Sequence, residues 1–459
     1  MADPAGEEKV EHFRADFQGV PIKGDAAFRP PHDVGDESLT LDRLKGLLGA
    51  LEAEERRVRK TVPLIANENV MSDLAYAMQG RYLSKCYLLG TASERGEQGL
   101  HFVKGGLMLD GLPAVTAVEA LAVQAARTLF SSAGAEFRPL SGLHATLTTI
   151  LALSRPGSHV LSINPAHGGH FATHKLVNAL GRRSVYLPWN AGTMTVDVDA
   201  CVPLVQALPA DSLLLLDHST PLFPQPVAAL KDMLPAGVKI VYDASHTLGL
   251  VAGGRFQDPL GEGADVLQGN THKTFPGPQK GIILPASSDL GDVIDDAMST
   301  HVVSSQHTHH CLALYVTLVE MRAFGRDYAA NVVGNAQTLG EELARTGFSV
   351  VRRNGIATQS HLLLLSDLPQ GRGFLLCRRL RDKGIAVNAR TSAMGEIIRI
   401  GVQELTRLGL KPADIPELAR LIARACGDDE PAGQVRADVA GFMSRFAKVK
   451  YSFDEQLTI

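Results

Sequence analysis

Cysteine, aromatic residues and long apolar runs are all scarce in this 459-residue chain. The five cysteines (Cys86, Cys201, Cys311, Cys377, Cys426) are odd in number, scattered and without a CxxC pair. That argues against a disulfide framework or a zinc site and fits a reducing cytosol. No run approaches the roughly eighteen apolar residues of a membrane span. Acids (49) and bases (45) are interspersed and the net charge is −4, so nucleic-acid binding has no electrostatic footprint. The first eight residues, Met1-Ala2-Asp3-Pro4-Ala5-Gly6-Glu7-Glu8, are acidic and lack the apolar core of a secretory signal. The expectation is a cytoplasmic protein with no membrane, metal or nucleic-acid partner.

What the chain does have is enough apolar residue, 45%, for a large core in two or three packed units. Residues 1 to about 36 are polar, contain Pro30-Pro31 and read as a loose arm. Leu39 to about Thr61 places Leu44, Leu47, Leu48 and Leu51 at helical spacing and predicts a surface helix. From about residue 115, helical segments (Ala117–Phe130, Leu143–Leu153) alternate with short apolar runs. The runs are His159–Ile163, Ser184–Leu187, Ser212–Leu216, Val238–Tyr242 and Gly281–Leu284. Such alternation gives a mainly parallel sheet covered on both faces, with ligands gathered at the carboxyl ends of its strands. A long helical region, about Cys311–Thr346, leads to a smaller α/β part. Its strands are expected near Phe348–Val351, His361–Leu365 and Ile397–Ile400, and its helices at Gly373–Lys383 and Pro416–Cys426. The domain boundaries read as 1–60 (arm and helix), 61–325 (large domain), 326–430 (small domain) and 431–459 (tail).

The chemistry concentrates in Gly269-Asn270-Thr271-His272-Lys273-Thr274-Phe275-Pro276-Gly277-Pro278-Gln279-Lys280-Gly281. Lys273 follows an apolar segment and precedes a Gly/Pro-forced turn, where a lysine can form an imine with an aldehyde cofactor and stay at its ring. Upstream, Asp243 ends a buried run, where a carboxylate can face a pyridinium nitrogen. A Schiff-base lysine with an acidic partner for that nitrogen is what pyridoxal 5′-phosphate chemistry requires. Further motifs follow in order. Ser141-Gly142-Leu143-His144 opens a helix, and main-chain N–H groups there suit a phosphate. Ala166-His167-Gly168-Gly169-His170 follows a strand and could lay an imidazole on a ring. Asp217-His218-Ser219-Thr220 ends another, and Arg399 sits where a guanidinium can grip a carboxylate bidentately. His307, His309 and His310 have no acid or cysteine partner and read as packed or surface histidines rather than metal ligands.

Together these motifs resemble the serine hydroxymethyltransferase branch of fold-type I pyridoxal phosphate enzymes, over roughly residues 45–430. The resemblance implies a mainly parallel seven-stranded sheet with a smaller C-terminal α/β domain. It implies Lys273 as the Schiff-base lysine, His272 as a phosphate contact, and Asp243 at the pyridine nitrogen. His246 and Ser219 would lie near the ring hydroxyl, and His167 would stack on the ring. Gly142, Leu143 and His144 would form the phosphate turn, and Arg399 would bind the substrate carboxylate, with Asn67 in the same pocket. It also implies a homodimer with shared active sites, in which Tyr87 and the Ser304-Ser305-Gln306-His307 loop approach the partner's cofactor.

Departures from that pattern bear on the reaction. The hydroxymethyltransferases place a glutamate two residues after the tyrosine corresponding to Tyr87, and a tyrosine pair soon after. This chain reads Tyr87-Leu88-Leu89-Gly90-Thr91 with no tyrosine pair. Leucine cannot shuttle a proton, which tells against folate-dependent one-carbon transfer. Gly269–Gly281, Phe324–Ala330, Gly401–Arg407 and the tail Tyr451-Ser452-Phe453-Asp454 instead resemble the L-threonine transaldolases of natural-product pathways. That resemblance implies L-threonine and a second aldehyde as substrates. Scarce aromatics in Tyr87–Phe102 favour a sugar or nucleoside aldehyde over an aryl one. Residues leave the base for the β-hydroxyl open among His101, His144, His170 and His307–His310. A hydroxymethyltransferase, a plain aldolase and a non-catalytic cofactor-binding module are the alternatives.

Overall fold

The computed structural model describes residues 41–368, 372–427 and 430–454. The N-terminal arm lies outside the described residues. Helix Leu41–Arg59 belongs mostly to a unit of its own (Met1–Arg57), and its Leu44, Leu47, Leu48 and Leu51 are exposed.

Val58 onward forms one compact unit built on a six-stranded sheet. Its strands are β1 (His159–Ser162), β2 (Arg183–Tyr186), β3 (Leu213–Leu216), β4 (Lys239–Asp243), β5 (Val266–Asn270) and β6 (Gly281–Pro285), in the order β6-β5-β4-β3-β1-β2. All neighbours are parallel except β5 and β6, which form an antiparallel pair. The sheet has six strands where seven were expected, and at its β6 edge Glu136 makes a single bridge to Ile283. The four leucines of β3 are all buried, as a strand covered on both faces requires. The chain adds β2 on one side of β1 and then returns to lay β3 on the other. The crevice between β1 and β3 is therefore a topological switch point, where such sheets bind ligands.

Helices α1 (Pro113–Phe130), α2 (Gly142–Leu153) and α3 (Thr308–Arg345) flank the sheet. The boundary expected at 325/326 falls inside α3, which runs on for 38 residues and carries buried side chains along its whole length. After α3 comes an antiparallel sheet of β7 (Leu362–Leu365), β8 (Asn388–Ser392) and β9 (Gly395–Gly401), ordered β7-β9-β8. The strand expected at Phe348–Val351 is only a bridge between Val350 and Leu365. One apolar cluster joins residues of the main sheet, α3 and the C-terminal part, including Val435, Val439 and Phe442 of helix Ala432–Met443. The tail thus holds a helix that packs into the core.

Candidate active site

Four strand ends converge on a cleft lined by Gly142, His170, Asp217, Ser219, Asp243, His246 and Lys273, among others. Asp243 is the last residue of β4. Its Oδ1 accepts the Ser245 N–H at 2.8 Å and its Oδ2 the Gln268 side-chain amide at 3.0 Å. Gln268 is fully buried and is itself pinned, donating to Thr146 Oγ1 and accepting from Thr149 Oγ1, both at 2.8 Å. Two threonines of α2 therefore fix the carboxylate through one amide, which leaves it little freedom to turn.

Lys273 lies just beyond β5, and its Nζ is 3.2 Å from His246 Nε2. Burial pulls the lysine pKa down to about 8, against the pull of Asp243 and with that of Arg399. Roughly a tenth of the amine is then a free nucleophile at neutral pH. Burial, then Lys273, holds His246 far below the ordinary imidazole value. Neutral and accepting at Nε2, it carries its proton on Nδ1, which is buried with no partner. An unfilled buried donor needs an acceptor oxygen.

The loop behind the lysine is held by two side-chain donors. Asn69 donates to the Lys273 carbonyl at 2.5 Å, and Tyr328 donates to the Thr274 carbonyl at 3.0 Å. The tail supports Tyr328, with the Tyr451 ring centroid 5.5 Å away. Asp454 caps helix Asp73–Gln79 by accepting the Asp73 and Leu74 N–H groups at 3.0 and 3.1 Å.

At one end of the cleft, α2 starts at Ser141, whose Oγ accepts the His144 N–H at 3.1 Å. A Cβ on Gly142 would lie 2.4 Å from Asn270 Nδ2, so only glycine lets the helix start approach β5 this closely. Gly142 and Leu143 line the cleft. The His144 ring does not: its Nδ1 accepts the Leu140 N–H at 2.9 Å, so His144 secures the turn instead.

Behind Ser219, which lines the cleft, Arg399 of β9 donates to Asn388 Oδ1 (3.1 Å), the Ser219 carbonyl (2.9 Å) and Asn67 Oδ1 (3.3 Å), and does not itself line it. Burial, and then Arg390, pull its pKa down to about 10. Arg390, on β8, donates to Ser219 Oγ at 3.0 Å and to the Pro165 carbonyl at 2.7 Å.

Several expected residues lie elsewhere in this chain. His167 stacks on Trp189, with centroids 5.6 Å apart and planes 8° from parallel, and is not in the cleft. Gly168 turns the chain through φ 101°, and a Cβ there would strike Thr220 Oγ1 at 2.1 Å. That turn delivers His170 to the cleft in place of His167, and burial keeps the His170 pKa below its usual value. His272 is held by burial, then Lys273, at about 4 with Nδ1 unpartnered, and it does not line the cleft. Tyr87 donates to Ser304 Oγ at 2.8 Å, and the Ser305 hydroxyl accepts the Leu88 N–H at 3.4 Å. Gln306 is buried with both side-chain polar atoms unpartnered. Tyr87, Ser304, Ser305 and Gln306 lie together, apart from this chain's own Lys273 cleft. Sequence reasoning missed His170 as the cleft histidine, together with Gln268, Thr146 and Arg390.

Asp217 follows β3 and accepts the Ile163 N–H at 3.1 Å. Complete burial raises its pKa to about 8, opposed by the Thr173 hydroxyl and the Ile163 N–H. A raised carboxyl means the folded state holds the proton more tightly than the unfolded state does. The stability this gives is fully present below an unfolded pKa of about 4, and is lost as pH rises through about 8. Urea unfolding should therefore show stability falling by up to about 1.4 kcal/mol per pH unit between pH 5 and 8. The neutral variant Asp217→Asn should flatten that slope, and an unchanged slope in the variant would contradict the assignment.

A buried nucleophilic lysine, a fixed carboxylate, a helix start at one end and an arginine bonded to the cleft-lining Ser219 fit pyridoxal phosphate in kind and order. Fold and site define a fold-type I pyridoxal phosphate enzyme. The serine hydroxymethyltransferase family model matches residues 42–202 and 228–422, and the chain belongs to that family. Fluorothreonine transaldolase of Streptantibioticus cattleyicolor is 42% identical over 418 residues, 91% of this chain and 64% of that protein. Serine hydroxymethyltransferase of Methanopyrus kandleri is 36% identical over 90% of this chain and 96% of its own length. Among solved structures, L-threonine transaldolase from Pseudomonas fluorescens in its internal aldimine state superposes with a TM-score of 0.84. It is 30% identical, covering 91% of this chain and 95% of its own.

Proposed function

We propose that the protein is an L-threonine transaldolase. The reaction exchanges the Cα–Cβ bond of threonine for a bond from the same Cα to the carbonyl carbon of a second aldehyde. Acetaldehyde leaves, and the proton given up by the threonine hydroxyl is matched by one gained on the new β-hydroxyl. Bound pyridoxal phosphate supplies the electron sink for a bond broken at Cα.

This chain's residues supply the rest. Lys273 holds the cofactor, with Asp243 keeping a proton at the ring nitrogen and His246 Nδ1 donating toward a ring oxygen. Gly142 and Leu143 offer main-chain N–H groups to the phosphate. His170, rather than His167, takes the place beside the ring. Arg399, oriented by Asn67, Asn388 and the Ser219 carbonyl, receives the threonine carboxylate and so sets which Cα bond is aligned to break.

Leu89 carries the reading against a folate-dependent hydroxymethyltransferase. Its carbonyl is tied down by the buried Arg95 at 2.9 Å, so the loop is ordered, yet its side chain can deliver no proton. Without that proton the exchange escapes diversion to glycine. Leu89→Glu should raise the glycine-to-product ratio by about tenfold, measured by amino-acid analysis of reactions containing one acceptor. An unchanged ratio would sink that role for Leu89.

The same reading includes a homodimer in the cytoplasm. Supporting it are the exposed Val103, Leu107 and Met108 on the hairpin His101–Lys104/Leu107–Asp110, an apolar surface a second copy could cover.

The test is acetaldehyde release from L-threonine with and without a panel of aldehydes. Release tied to one acceptor, with a new β-hydroxy-α-amino acid, supports the transaldolase. Release without any acceptor makes it an aldolase, and turnover of serine with folate alone returns it to the hydroxymethyltransferases. A yellow protein that leaves every amino acid unchanged would be a non-catalytic binder.

A further inference from the structure

Arg390 and Arg399 stand on adjacent strands, and both close on one residue. Arg399 takes the Ser219 carbonyl and Arg390 its hydroxyl. Every acceptor they have is neutral: two asparagine oxygens, the Ser219 oxygens and the Pro165 carbonyl. The buried Arg95, Arg138 and Arg407 each meet a carboxylate (Glu119, Glu136 with Asp295, and Glu320), whereas buried Arg182 takes only Ser154 and Leu180 oxygens but has no second guanidinium bearing on it, as Arg399 has in Arg390. Two half-buried guanidiniums side by side without an anion are costly, because their partly desolvated surroundings strengthen their repulsion.

The nearest acids do not offset them. Asp243 is bound to Gln268 and Ser245, and Asp217 is bonded to the Ile163 main chain. If a second copy brings Tyr87–Thr91 and Ser304–Gln306 to the site, neither segment carries an acid. The threonine carboxylate balances one guanidinium and leaves the other.

We propose that Arg390 is the second cation of a two-arginine pocket, so that the acceptor aldehyde carries an acidic group, a carboxylate or a phosphate. This rests on the transaldolase reading and narrows the sugar or nucleoside aldehydes expected from the sequence to acid-bearing ones. Arg390 is a specificity residue for the acceptor, and through Ser219 Oγ its occupancy is linked to the cleft.

The experiment compares matched acceptors on the loaded enzyme with L-threonine: succinic semialdehyde against butanal, and glycolaldehyde phosphate against glycolaldehyde. The expected result is a preference of at least about tenfold in kcat/KM for the charged member of one pair. The pair that shows it tells carboxylate from phosphate. In Arg390→Gln, which keeps an amide donor for Ser219, that ratio should collapse toward unity, while Arg390→Lys should retain part of it. Because the ratio is taken within each variant, a general loss of activity cancels.

The single tryptophan, Trp189, stacked on His167 beside the Pro165 turn, gives a second readout that needs no turnover. Succinate should change its fluorescence at lower concentration than butyrate in the wild type, with the difference lost in Arg390→Gln. Equal rates for charged and neutral acceptors, or a ratio unchanged in Arg390→Gln, would overturn the acceptor class and leave threonine exchange standing. No exchange with any aldehyde would defeat the transaldolase reading and the acceptor class with it. Succinate titration would then still report whether the arginine pair binds a dianion.

Discussion

Lys273→Ala is expected to lower turnover of threonine by about 10³-fold or more, and to leave the cofactor removable by dialysis after borohydride treatment. Lys273 supplies the one amine among the residues lining the cleft, and burial brings it near the range where part of it is unprotonated at neutral pH. No neighbour can substitute: His246 Nε2 is 3.2 Å away and is held neutral, but it is an imidazole. A small fall in rate, or cofactor still fixed by borohydride in the variant, would show that another residue carries the attachment. Activity restored by added methylamine would separate loss of the amine from loss of the fold.

Asp243→Ala should cost nearly as much, a fall in kcat of about 10³-fold, or about 4 kcal/mol of barrier. The carboxylate is held by Gln268 and Ser245 at a fixed angle, so its charge faces the cleft in one direction. Asp243→Asn separates the two contributions. It keeps the size and hydrogen bonding but removes the charge that holds a proton on the ring nitrogen, and it should be almost as damaging as alanine. If asparagine restores most of the activity, geometry rather than charge is what Asp243 provides. Thr146→Val, which breaks the support of Gln268, should give a smaller loss of about tenfold through misorientation alone.

Much of this site could be read from the chain because lysine, aspartate and the helix start each sit where a strand or loop ends. Local pattern locates those ends directly. The histidine pair was different: His167 and His170 flank Gly168-Gly169, and only the turn at Gly168 decides which ring enters the cleft. Of the strands that carry the site, β5 and β8 were missed because they are polar for functional reasons. β5 carries Gln268 and Asn270, whose amides serve Asp243 and the Gly142 N–H. β8 reads Asn388-Ala389-Arg390-Thr391-Ser392, with no apolar alternation, because its side chains meet Arg399, Ser219 and Asn67. Arg390 was hidden for the same reason. The reverse error occurred at Phe348–Val351, whose apolar run predicts a strand but forms one bridge, at Val350. The boundary read at 325/326 falls within α3, whose apolar pattern runs through it without a break.

The central claim, that the Cα of threonine passes directly to a second aldehyde, is tested most directly by isotope dilution. L-threonine and an accepted aldehyde are incubated with the enzyme in the presence of excess ¹³C-labelled glycine, and the product is examined by mass spectrometry. Direct exchange predicts a β-hydroxy-α-amino acid whose α-carbon comes from threonine and carries no label. A labelled product would mean that glycine is released and recaptured, and that the protein is an aldolase.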